Sequence, residues 1–106
     1  MPASLRAVVA RITADRACLT GKGLRVTGGP VFPQQGPTSA DGELITNGAL
    51  IAFYTDQRKA AQLEPEVKQN ARRFGGQVVR HGAVTVLWIQ PPTNSLRTAV
   101  SRCSLG

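Results

Sequence analysis

The chain has 106 residues and a mass of 11.2 kDa, and 42% of its residues are hydrophobic while 18% are charged. That suits one compact domain spanning 1–106, which buries about two thirds of its unfolded surface, and it excludes two full domains or a disordered tail. Thirteen Lys and Arg against six Asp and Glu give a net charge of +7, a bias toward anionic partners.

The first element is a helix over 4–17, with Ser4 as N-cap and Leu5, Val8, Val9 and Ile12 on one stripe. Gly21 and Gly23 end it, and Leu24–Thr27 alternates as a short strand does. From Gly28 to Gly48 the chain is rich in Gly and Pro and reads mainly as a long loop. Ala49–Thr55 is a run of β-formers and reads as a buried strand, followed by a helical turn capped by Thr55 or Asp56. Because Pro65 is tolerated only in a first turn, the main second helix is placed from Leu63 or Glu64, with Leu63, Val67, Ala71 and Phe74 on one face. Arg72 and Arg73 suit its last turn, and Gly75-Gly76 ends it. Gln77–Arg80 and Ala83–Gln90 form a hairpin across His81-Gly82. After Pro91-Pro92, Thr93 or Asn94 caps a last helix with Leu96, Val100 and Cys103 on one face.

Asn47–Phe53 and His81–Leu87 share a pattern. Two α-β-β units and a closing helix give the order αββαββα. The expected fold is therefore α+β, a four-stranded antiparallel sheet of ferredoxin-like, split β-α-β type with helices on one face.

No phosphate-binding loop or dinucleotide fingerprint is present. Zinc needs about three or four Cys or His ligands, and the chain offers Cys18, Cys103 and His81. No metal or other cofactor is expected. Cys18 and Cys103 end the first and last helices, which side by side on a sheet would bring them together in a disulfide. Two buried free thiols and a redox-active thiol are the alternatives. His81 at a hairpin tip reads as a turn residue rather than a general base, and Asp41 with Glu43 reads as a solvated turn rather than a cation site. No spacing supports a catalytic use of His81, Cys103 or Asp41.

Strands Ala49–Thr55 and Ala83–Gln90 are apolar on both faces, so one layer of helices leaves a face to be covered. The 28–48 loop through Val31 and Phe32, a second subunit forming a homodimer through the sheet, and a ligand are the three candidate covers. Candidate partner contacts are Val31, Phe32, Tyr54, Trp88, Arg72, Arg73 and Arg80. The RNA-stacking signature of aromatic residues on a central strand is absent.

The longest unbroken apolar stretch, Ala49–Tyr54, is far below the roughly 18 residues of a spanning helix, so no transmembrane segment is expected. Met1–Ser4 is not followed by the basic and apolar regions of an export leader. The chain is thus intracellular, or an exported one whose leader has been removed. The expected function is a non-enzymatic binding or interaction domain, the soluble part of an exported or envelope-associated protein, with a protein or anionic polymer as partner. The alternative is an intracellular basic protein that binds nucleic acid through its arginines.

Overall fold

A computed structural model describes residues 3–30, 38–73 and 75–105. The elements in order are α1 (Ala3–Gly21), β1 (Thr27–Pro30), β2 (Gly42–Thr46), β3 (Ala49–Phe53), α2 (Gln57–Arg72), β4 (Gln77–His81), β5 (Val84–Trp88) and α3 (Asn94–Val100), which runs on into a π-helical segment, Ser101–Leu105. All strand pairs are antiparallel, in the sheet order β1-β2-β3-β5-β4.

The α+β class holds, but the sheet has five strands instead of four and the order is αβββαββα. The added strand, β2, lies in the segment expected to be loop. Gly/Pro counting hid it, although Asn47-Gly48 is a two-residue hairpin turn between Thr46 and Ala49, with Gly48 at φ +82°. Gly42 belongs in this strand because α1 crosses directly above it. A Cβ there would meet Ile12 Cδ1, so any larger residue would make the end of the Ile12 side chain shift. Leu24 and Val26, expected in the first strand, precede β1 and pack against the core instead.

Helices cover both faces, which corrects the one-sided arrangement. Against one face, α1 and α3 pack Val8, Ile12, Leu19, Leu96 and Val100 onto Leu44, Ile51, Phe53, Val84, Val86 and Trp88. Against the other, α2 packs Ala60, Leu63 and Ala71 onto Leu50, Ala52, Tyr54 and Leu87. Every residue of β3 and β5 is buried. The second apolar face thus finds its cover in the same chain. Val31 and Phe32, which would carry the loop among the three candidate covers, lie outside the described residues.

The second helix starts earlier than expected, at Gln57, where Asp56 caps it by accepting the Lys59 N–H at 2.8 Å. Pro65 sits inside the helix and cannot donate to Ala61. Both residues are exposed, so solvent reaches the freed carbonyl and the helix continues. At its end the Gly76 N–H donates to Ala71 O at 2.9 Å, and Gly75 takes φ +69°, the left-handed stop that the Gly pair predicts. Thr93 caps α3 by accepting the Leu96 N–H at 3.2 Å.

The π-helical segment brings Cys103 to α1, where it forms a disulfide with Cys18 across a Cα–Cα distance of 5.7 Å and 85 residues of sequence. Beside it, Arg11 Nη2 donates to the Ser104 carbonyl at 3.1 Å. In the chain-entropy account, closing so long a loop is worth roughly 4 to 5 kcal/mol, less any strain. Replacing both cysteines by serine should lower unfolding stability by up to about that amount, read as a lower denaturant midpoint. An unchanged midpoint would show that the crosslink adds nothing.

Candidate functional site

The chain's charge is divided unevenly between its two helical sides. Segments 3–26 and 94–105, which hold α1, α3 and the π-helical segment, contain Arg6, Arg11, Arg16, Lys22, Arg25, Arg97 and Arg102 against Asp15 alone. The remaining cations, Arg58, Lys59, Lys68, Arg72, Arg73 and Arg80, share the other part of the chain with five carboxylates, Asp41, Glu43, Asp56, Glu64 and Glu66. Nearly the whole positive excess therefore sits with the α1/α3 layer.

Asp15 offsets one of these seven charges. Its side chain is only 6% exposed, and burial pushes its pKa above its ordinary value against the opposing influence of Arg11 and Ser104. Two arginines of α1 also have structural work: Arg11 holds Ser104, and Arg16 donates to the carbonyls of Val26 and Gly28. Their side chains thereby tie the C-terminal segment and β1 to α1 while keeping their charge on this layer.

A groove of about 730 Å³ opens on the same layer, between the end of α1, the β2–β3 turn and the start of α3. Lys22 and Arg102 supply its cations, and Asn47, Gln90, Asn94, Ser95 and Thr98 supply neutral donors and acceptors. Among the described residues no carboxylate lines it. Such a lining can hold anionic oxygens by charge and orient them by hydrogen bonds. Sequence reasoning missed the groove because its residues come from three distant stretches with no shared spacing.

A second polar cluster lies on the α2 side. Tyr54 is 3% exposed and donates its hydroxyl to the Thr38 carbonyl at 2.6 Å. The Thr38 hydroxyl reaches Glu43 Oε1 at 3.2 Å. Asp41 accepts from the Thr55 N–H at 2.8 Å and from Lys59 Nζ at 2.7 Å. Burial raises the pKa of both Tyr54 and Glu43, in Glu43 against the hydrogen bond that its carboxylate accepts from the Thr38 hydroxyl. These groups face one another: they pin 38–43 to the start of α2. Asp41, expected as a solvated turn residue, is instead buried and ion-paired.

The other candidates separate. Trp88 is 5% exposed and, like Tyr54, faces the core rather than a partner. Arg72 and Arg73 are exposed at the end of α2. Arg80 pairs with Glu64 at 3.4 Å and donates to the Gly82 carbonyl. His81 is exposed at the end of β4, and Cys103 is committed to the disulfide. Among the described residues no group of three or more His, Cys, Asp or Glu is placed to hold a metal ion, and no helix is long and apolar enough to cross a membrane.

Two outcomes follow from the buried acids and the tyrosine. Tyr54→Phe strands the buried Thr38 carbonyl and should cost about 1 to 3 kcal/mol in denaturant unfolding; a loss near zero would mean that water replaces the hydroxyl. For Asp15, a folded-state pKa raised above the unfolded one means that the protonated form is the one the fold favours. Its contribution is fully present below the unfolded pKa and fades as pH rises through the folded one. Asp15→Asn should therefore match the parent near about pH 3 and become the more stable protein near about pH 7, as thermal midpoints across pH would show. A parent that is the more stable at neutral pH would reverse the sign.

No known family model matches this chain, and neither a curated protein nor a solved structure is significantly similar to it.

Proposed function

We propose that this chain is a non-enzymatic binding domain that holds an anionic polymer against its α1/α3 layer, as the soluble part of an exported or envelope-associated protein. The segregation of charge carries this reading: seven cations and one buried, pKa-raised acid share one layer, where a polymer of phosphates or carboxylates gains from many weak, additive contacts. The Lys22–Arg102 groove adds polar groups that can orient the chain. The Cys18–Cys103 disulfide favours an oxidising compartment over the cytosol.

Two observations favour binding over catalysis and over base reading. His81, Asp41 and Cys103, the residues with the most chemistry to offer, lie at the β4 edge, under α2 and in the disulfide respectively. The described aromatic side chains, Phe53, Tyr54 and Trp88, are buried, so none is offered for stacking on bases.

Retention on immobilised poly(glycerol phosphate) tests the proposal. Binding should fall by about tenfold or more between about 50 and 200 mM salt, and the double variant Lys22→Ala/Arg102→Ala should weaken it further. Arg72→Ala/Arg73→Ala, on the other layer, should leave it nearly unchanged. Equal losses from the two pairs would refute a layer-specific site, and tighter, sequence-dependent binding to duplex DNA would favour the nucleic-acid reading.

A further inference from the structure

The two edges of the sheet differ in how they treat their free backbone groups. Tyr54 N–H donates to Ala83 O at 2.9 Å and Ile89 N–H to Gly48 O at 2.7 Å. With the β3–β5 register, these bonds show that Ala83, Thr85 and Leu87 turn their backbone groups toward β3, while Val84, Val86 and Trp88 turn theirs toward β4. Their partners His81, Val79 and Gln77 face inward, so Val78 and Arg80 present N–H and C=O to the open edge.

The same alternation carried through β3 and β2 leaves Gly28 and Pro30 facing outward from β1. That edge is blocked: Arg16 occupies the Gly28 carbonyl, and proline has no N–H to offer. Among the described residues, none protects the β4 edge in this way. Val79 beside it is 45% exposed, and a groove of about 370 Å³ runs between Gln77, Val78 and Val79 on one side and Lys68 and Arg72 on the other.

We propose that the β4 edge is a strand-addition site that takes an extended, acidic segment of another protein. Backbone bonds to Val78 and Arg80 would hold the added strand. Alternate side chains would then fall on opposite faces, acidic ones beside Lys68 and Arg72 and apolar ones beside Val79. A second copy is the competing occupant. A two-fold axis joining two β4 edges would run the start of one strand past the end of its mate and bring Lys68 and Arg72 toward the mate's Glu64. The mass of the free protein separates the two. The site lies apart from the α1/α3 groove and does not depend on it.

The test is an amide-resolved NMR titration of the full chain with a capped peptide in which valine and glutamate alternate. The Val78 and Arg80 amides should shift and gain exchange protection. N-methylation of alternate peptide amides, or lysine in place of glutamate, should weaken binding by about tenfold or more. Val79→Asp, at an exposed position, should weaken it comparably; should that variant unfold, the N-methylated peptide decides alone. The proposal fails if Val78 and Arg80 do not respond at millimolar peptide, or if the lysine or N-methylated peptide binds equally. It also fails if both amides are already protected in a free protein of dimeric mass, which would identify a second copy at the edge.

Discussion

Strands β3 and β5 are buried along their full length and carry apolar side chains on both faces. A backbone of this kind cannot be left half covered, because several large side chains would remain in water on one side. The chain meets the requirement by returning from β3 through α2, on the opposite face from α1 and α3, to reach β4 before β5 pairs with β3. Three layers follow from the two central strands. The outer strands are less constrained: β4 alternates between exposed and half-buried residues, and β1 is built of Thr, two glycines and Pro.

The two helical layers are held by different means. On the α2 side, a small cluster of buried hydrogen bonds and one ion pair fixes 38–43 to the helix start. On the α1/α3 side, covalent and charge-assisted contacts dominate. The disulfide joins α1 to the π-helical segment, Arg11 reaches across to Ser104, and Arg16 gathers Val26 and Gly28. This second set is dense in cations, and a layer with so many like charges repels itself. A crosslink there resists that repulsion without removing the charge that an anionic partner would meet.

Gly42 and Pro65 show how local rules yield to packing. Gly42 is a poor strand former, yet α1 crosses so closely there that a side chain would have to push Ile12 aside. Pro65 is a poor helix interior, yet it lies on the exposed side of α2, where Val67 and Ala71 supply the burial that holds the helix together. In both cases a local preference of about a few kcal/mol at most is opposed by contacts that form only when distant segments meet.

Much of the fold is legible in the order of residues because its signals are local. The apolar runs of β3 and β5, the Asp56 and Thr93 caps, the Gly75-Gly76 stop and the hairpin near Gly82 depend on neighbours a few positions apart, and all appear in the structure. The pairing of Cys18 with Cys103 was open to sequence reasoning because both lie at the ends of helices expected to pack side by side. Three matters belonged to tertiary structure alone. The placing of α2 on the second face, the burial of Asp41 against Lys59, and the gathering of Lys22, Asn47 and Arg102 around one groove all join residues far apart in sequence. Sequence by itself determined that both faces of the central strands must be covered, since hydrophobic periodicity is written residue by residue. Which segment covers each face, and where the positive charge collects as a result, was decided only when the chain crossed the sheet, because burial and electrostatic proximity are properties of distance in space.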